Sequence, residues 1–322
     1  MMTRQKILVV GAAGGIGGEL ARQLRDAGWD VRGLVRSLEQ PVLMRDGIVW
    51  IRGDAMRLDD VAKAAEDCAV IVHAVNPPGY LRWAERVLPM LDNTIAAAKR
   101  ESAVIVLPGT VYNYGPDALP ILREDSPQRP LTRKGRIRVE MEARLRAYAA
   151  GGGRALIVRA GDFFGPRAGN NWFSQGLIQP GKMVRRIQNP AAPGVGHQWA
   201  YLPDVAGNIV DLLARRESLE PFATFHLGGH WDADGAQMAQ AIRRALRKHG
   251  VNAKVKAFPW WLIRLIAPFN ATLREVMEMR YLWRQPVRVD NGKLLGVLGR
   301  ERVTPLDEAV EATLKGLGCL PG

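Results

Sequence analysis

Ile7-Leu8-Val9-Val10-Gly11-Ala12-Ala13-Gly14-Gly15-Ile16-Gly17 is the stretch that decides the fold. A short apolar run ends in clustered glycines, and residues 19–27 then carry a helical pattern, so the order is strand, turn, helix. Glycines at such a junction let the backbone turn tightly and approach a diphosphate. The charge of that group is met by the unpaired N–H groups and the positive dipole end of the helix. A dinucleotide site is therefore expected at this turn.

The same alternation continues outward from the turn. Gly28 stops the helix, residues 30–36 read as a second strand, and the first βαβ unit closes there. Strands follow at 48–52, 69–74, 103–107 and 155–158, separated by helical segments from 57, at 81–100 and at 135–149. Nearly continuous apolar strands alternating with helices indicate a parallel sheet covered on both faces, a doubly wound α/β fold. Beyond Gly161 the alternation breaks into a stretch rich in glycine, proline and asparagine. The expected division is a dinucleotide-binding domain, 1–161, and a smaller substrate domain, 162–322, with a segment near 197–228 returning to the first. That second part reads as a segment at 198–201, a helix at 205–215, a strand at 224–227, a helix at 235–249 and a C-terminal set of helices. No internal repeat or low-complexity tract is present.

With 322 residues and 47% hydrophobic content the chain can bury a large core. Two cysteines, Cys68 and Cys319, make no framework of bridges, which fits a reducing cytoplasm. The basic start at Arg4 and Lys6 loosely mimics a signal peptide, but the apolar run behind it is short and leads straight into the glycine turn. No apolar stretch approaches the roughly 20 residues that span a bilayer, and Pro259-Trp-Trp-Leu-Ile meets Arg264 almost at once. A soluble cytoplasmic protein with no membrane partner is expected. The net charge of +13 raises the question of a polyanionic partner. Its basic residues are scattered as pairs, Arg185-Arg186, Arg215-Arg216 and Arg243-Arg244, usually with carboxylates nearby, so no nucleic acid is expected.

Together, the spaced glycines Gly11, Gly14 and Gly17, the pair Gly53-Asp54, the segment 110–115, the run Arg159-Ala-Gly-Asp-Phe-Phe-Gly-Pro166 and Tyr201-Leu-Pro-Asp-Val-Ala206 resemble the extended branch of the short-chain dehydrogenase/reductase superfamily. That branch holds sugar-nucleotide epimerases, dehydratases and carbonyl reductases, and the likeness covers essentially the whole chain. It implies a Rossmann-type sheet with Gly11, Ala13, Gly14, Gly15, Ile16 and Gly17 around the cofactor diphosphate. It also implies Asp54 and Ala55 at the adenine, and the backbone of His73, Ala74 and Val75 at the nicotinamide ribose. Asp54 is equally a candidate helix N-cap, and His73 a packed core histidine. In many relatives helices equivalent to 81–100 and 135–149 pair across a two-fold axis, which makes a homodimer the expected assembly.

An acidic residue at the end of the second strand would favour NAD over NADP. Val35, Arg36 and Ser37 stand there instead, so NADP(H) is the expected cofactor, with Arg36 on its 2′-phosphate and NAD(H) as the lesser choice.

The chain departs from the family in its catalytic set, whose pattern is Ser or Thr, then Tyr, then Lys four residues on. Thr110 falls in the Ser/Thr place, or is a loop hydroxyl bonded to backbone. No tyrosine stands in Thr132-Arg-Lys134-Gly-Arg-Ile-Arg138. One register puts Lys134 and Arg138 in the Tyr and Lys places; a second puts Thr132 and Arg136 there. In the first, the two cations share a helix face beside Ile137, Met141, Leu145 and Tyr148. Repulsion from Arg138 would then lower the proton affinity of Lys134, which suits a proton donor to a carbonyl. The competing reading is an inactive NADP(H)-binding sensor; Tyr112 and Tyr114 are candidate substitute acids or packed aromatics.

By the same resemblance, His197 occupies the place of an arginine that clamps substrate diphosphates, and Asp162 the place of an asparagine. Both changes point to a small carbonyl or hydroxyl substrate rather than a nucleotide sugar. Asn170, Asn171, Trp172 and Phe173, with Trp199, Trp260 and Trp261, are candidate pocket residues. No nucleophile-elbow serine, Walker loop or zinc-site spacing is present, so no metal is expected.

Overall fold

A computed structural model describes residues 5–77, 83–169 and 171–320, with the backbone alone at 271 and 272. The elements run β1 (Lys6–Val10), α1 (Gly15–Asp26), β2 (Asp30–Val35), β3 (Val42–Arg45), β4 (Ile48–Arg52), α2 (Leu58–Ala65), β5 (Cys68–His73) and α3 (Trp83–Glu101). Next come β6 (Val104–Thr110), β7 (Ile121–Leu122), α4 (Arg133–Ala150), β8 (Arg154–Ala160), β9 (Asp162–Phe164), β10 (Arg186–Asn189), β11 (His197–Tyr201) and α5 (Leu202–Ala214). The chain finishes with β12 (Phe222–His226), β13 (His230–Asp232), α6 (Gln237–Lys248), β14 (Lys254–Ala257), α7 (Trp260–Ile266), α8 (Ala271–Glu278), β15 (Arg288–Val289), α9 (Gly292–Leu298) and α10 (Leu306–Gly316).

Eight strands form the main sheet in the order β12-β8-β6-β5-β1-β2-β4-β3, parallel throughout except for β3, which runs antiparallel to β4. This is the doubly wound sheet expected from the strand pattern. The order reverses between β1 and β5, and open α/β sheets bind ligands at that crevice beyond the carboxyl ends of the strands. Residues of β1 point alternately to two apolar layers: Ile7 and Val9 join α1 and α5 on one face, Leu8 and Val10 join α2, α3 and α4 on the other. Burial of β1 on both faces explains its unbroken apolar run.

The remaining elements pack beside the carboxyl edge of the sheet. β13, β11 and β9 make a three-stranded sheet, β10 pairs with β14, and β15 with β7. A separate core under them joins Phe164, Phe173, Trp199 and Trp283 to α6 and α10. α5 returns to pack on α1, and β12 closes the edge of the main sheet.

Some expectations shift. β3 adds a strand to those the sequence predicts; Asp46 and Gly47, both at positive φ, make the tight turn of a β3–β4 hairpin. β6 extends to Thr110, carrying that residue out of the loop and onto a strand end. α4 begins at Arg133, with Thr132 as its N-cap: the Thr132 hydroxyl accepts from the Gly135 N–H at 3.0 Å. The Leu81 start of the helix before the fifth parallel strand lies outside the described residues.

Candidate active site

A cleft of about 890 Å³ opens over the carboxyl ends of β1, β2, β5, β6 and β8. Its floor is the glycine turn. Gly11 has φ +87°, and a Cβ there would sit 2.7 Å from the Val75 backbone, so this position takes only glycine. Gly14, the residue before α1, has no side-chain cap, leaving the first N–H groups of the helix open to a ligand. Gly11, Ala13, Gly14, Gly15 and Ile16 line the cleft, as do Arg36, Asp54, Ala55, His73, Ala74 and Val75. Gly17 lies off the cleft wall, where its missing side chain lets α1 approach the Gly11 carbonyl.

Asp54 does not cap α2, whose N-cap is Arg57. Its carboxylate accepts from the Met56 N–H at 3.0 Å and shapes the turn that follows β4. His73 is buried, with Nδ1 2.8 Å from the Thr94 hydroxyl. Burial, reinforced by the Arg138 charge, pushes its imidazole down to about 3, so it stays neutral at ordinary pH. Its buried Nε2 meets no hydrogen-bond partner among the described residues.

Thr110, Tyr112, Lys134, Arg138 and Asp162 line the opposite wall, joined by Asn171 and Trp172. The Thr110 hydroxyl accepts from the Tyr112 N–H at 3.3 Å, the loop role weighed for it, while still facing the cleft. Of the two pairs the family pattern could align with α4, Lys134 and Arg138 face the cleft; Thr132 is the helix cap, and Arg136 is exposed and donates to the Leu131 carbonyl. Lys134 is 5% exposed. Its ammonium lies 3.2 Å from the Glu275 carboxylate of α8 and donates to the Glu275 carbonyl at 3.3 Å. Burial lowers the Lys134 pKa, and the charge and hydrogen bond of Glu275 oppose that shift. The leading cause is thus desolvation, not repulsion from Arg138. Arg138 instead stacks over the Trp83 ring at 5.1 Å, in the wall below His73.

The substrate-side expectations need revision at several positions. His197 stands behind Asp162 rather than on the wall: Nε2 is 2.8 Å from the Asp162 carboxylate, Nδ1 3.3 Å from the Leu282 carbonyl, and the ring stacks on Trp283. Asp162 is therefore held in place by His197 and accepts from the Tyr112 hydroxyl at 3.4 Å. Phe173 and Trp199 are core residues, and Trp261 is exposed, so none of them forms the wall. Asn170 lies outside the described residues. Tyr114 is buried against His226, and burial raises its phenol well above the ordinary value. It is a packed aromatic, not an acid for the cleft.

Other wall residues come from the C-terminal helices, where only Trp260 and Trp261 were pocket candidates. Phe258, Pro259 and Ile263 of the α7 region, with Leu273, Glu275, Val276 and Met279, close the far side. No local pattern marks Glu275 as the partner of Lys134; only folding brings them together. Among the described residues no cluster of ligand side chains suits a metal.

The family model for the NAD dependent epimerase/dehydratase family matches residues 7–228, more than half of the chain. The chain belongs to the NAD dependent epimerase/dehydratase family. Two curated relatives are each 29% identical to this family member: protein C2A9.02 of Schizosaccharomyces pombe over 162 residues, and y4nL of Sinorhizobium fredii over 181. The alignments take in 48% and 50% of this chain, which spans about half the length of each relative, 52% and 51%. Among solved structures, a UDP-glucuronic acid 4-epimerase from Bacillus cereus in complex with NAD superposes with a TM-score of 0.75 at 18% identity, covering 99% of this chain and 100% of that one. A UDP-glucose 4-epimerase from Bifidobacterium longum in complex with NAD+ and UDP gives 0.71 at 13% identity, with 97% and 98% covered. These likenesses establish the epimerase/dehydratase fold.

Proposed function

We propose that this chain binds NADP(H) in the cleft and uses it to reduce, oxidise or epimerise a small non-nucleotide carbonyl or hydroxyl compound. One observation carries the reading: the glycine turn, the Arg36 rim and the Thr110–Lys134 wall face one another across a single cleft. The residues fit a dinucleotide. The open N-terminus of α1 suits a diphosphate. The unpartnered Nε2 of His73 offers an acceptor or donor to a ribose. Arg36, exposed at the end of β2, suits an extra phosphate.

A bound nicotinamide supplies hydride chemistry there. The chain's own part is to hold the substrate oxygen at the Thr110 hydroxyl and to deliver or accept its proton at Lys134 Nζ. Partial desolvation makes Lys134 a better acid than a surface lysine, and Glu275 keeps its side chain fixed toward the wall. The Asp162 carboxylate on the wall disfavours an anionic substrate.

A second reading, a cofactor-binding regulator without turnover, is favoured by the same Lys134–Glu275 ion pair, because a salt-bridged ammonium gives up its proton less readily. NADPH oxidation against a panel of aldehydes and ketones separates the two. Turnover that Lys134→Ala abolishes, with NADPH binding retained by calorimetry, is the expected result. Binding of NADPH with no oxidation across the panel overturns the enzyme reading and leaves the regulator.

A further inference from the structure

Two long stretches of this chain carry no carboxylate: residues 163–203 and residues 235–274. They meet in space, because β10 and β14 pair in parallel with Arg186 opposite Lys254 and Gln188 opposite Lys256. Arg185, Arg186, Lys254 and Lys256 are all exposed on this small sheet, and none forms an ion pair with a carboxylate among the described residues. The cations of neighbouring α6 differ, since Arg244 and Lys248 are matched by Asp307 at 2.6 Å and Glu311 at 3.2 Å. The scattering of charge read from the sequence thus gives way to a cationic face.

β14 leads directly into α7, none of whose residues is buried. Trp261, Leu262, Leu265 and Ile266 stand on one side of it, 69%, 38%, 63% and 41% exposed, and Phe269 on the next turn is 90% exposed. Contiguous exposed apolar side chains of this size mark an interaction surface. The next acids in the chain, Glu275 and Glu278, turn away toward Lys134 and the Arg133 N–H of α4.

The geometry points to one occupant: the surface of an anionic lipid bilayer, with the α7 side chains entering the acyl boundary and the β10–β14 cations meeting the headgroups. A second copy of the chain would bring one uncompensated cationic face against another in an isologous contact. A nucleic acid would leave Leu262, Leu265 and Ile266 without a suitable partner. No helix among the described residues is long and apolar enough to cross a membrane, so the segment lies on the bilayer. Ile263, Phe258 and Pro259 belong to the same segment and line the cleft, which places its rim at the interface. The inference goes beyond the proposed activity and departs from the expectation of no membrane partner, which rested on the lack of a spanning segment.

The test is sedimentation of the full chain with vesicles of phosphatidylcholine alone or mixed with phosphatidylglycerol, at low and high salt. Binding to the mixed vesicles, weakened by salt and nearly absent on neutral ones, is expected. The triple variant W261S/L265S/F269S should bind about tenfold or more weakly, and K254E/K256E should weaken binding with no change to the apolar face. The second variant alters only exposed strand positions, so it keeps the test intact if the first fails to fold. A chain that stays in solution with both vesicle types, or a folded triple variant that sediments like the unaltered protein, overturns the inference. So does self-association that the triple variant abolishes, which would give this face to a second copy.

Discussion

Lys134 holds a positive charge where burial disfavours it, and Glu275 is what allows it to stay. A stronger instance lies deeper. The Arg159 guanidinium, 1% exposed, makes two hydrogen bonds to the Glu142 carboxylate, and a third nitrogen lies 3.0 Å from His226 Nε2. His226 Nδ1 faces the Leu122 carbonyl at 3.3 Å, so a neutral ring with its proton on Nδ1 turns its one Nε2 lone pair toward Arg159, with the Tyr114 hydroxyl 2.9 Å from the same atom. This network ties β8, α4 and β12 together behind the cleft. Arg36 is the opposite kind of cation, exposed and at the rim. Replacing it with Ser should weaken NADPH binding about 10-fold to 100-fold and leave NADH binding nearly unchanged, the usual worth of a charge-assisted phosphate contact. Titration of both nucleotides checks this, and equal losses for the two would remove Arg36 from the 2′-phosphate.

At the scale of the element, α4 matters because its first turn presents Lys134 and its second Arg138. Thr132 fixes where that turn begins, and the Arg133 N–H is held by the Glu278 carboxylate. Thr132→Ala removes the cap and should lower stability by about 1 kcal/mol, read from urea unfolding, while loosening the Lys134 position. Loss of turnover greater than the small loss of stability accounts for would locate the effect in the site. Much of the element pattern was legible in the sequence, because β1, β5, β6 and β8 are buried on both faces and so unbroken in their apolar character. The β3–β4 hairpin had a local signal in Asp46-Gly47. The pairs β10–β14 and β7–β15 had none, since each joins segments far apart in the chain.

For the whole molecule, burial of neutral histidines sets an acid limit. His73 and His226 are both pushed down to about 3, chiefly by burial and further by Arg138 and Arg159 respectively. In the unfolded chain each takes up a proton near pH 6.5. The stability tied to keeping them neutral is therefore complete above about pH 6.5 and is lost as pH falls from there toward 3. Each group removes about 1.4 kcal/mol per pH unit in that window. The expected outcome is a melting temperature that drops steeply below pH 6.5, with a shallower fall in His73→Asn. An unchanged slope in that variant would mean that His73 protonates in the folded protein.

The sequence by itself determined the sheet and the glycine turn, because those depend on contacts within one βαβ unit or on apolar periodicity that each strand carries alone. Thr110, Lys134 and Arg138, which line the wall opposite the glycine turn, were singled out by the family resemblance, and spacing along α4 added only that Lys134 and Arg138 share a helix face. Only the tertiary structure decided that Glu275 partners Lys134, that His197 backs Asp162 instead of facing the cleft, and that two carboxylate-free stretches form one cationic face. Those facts depend on segments brought together from across the chain, and no local pattern of residues encodes which distant charge a buried charge will find.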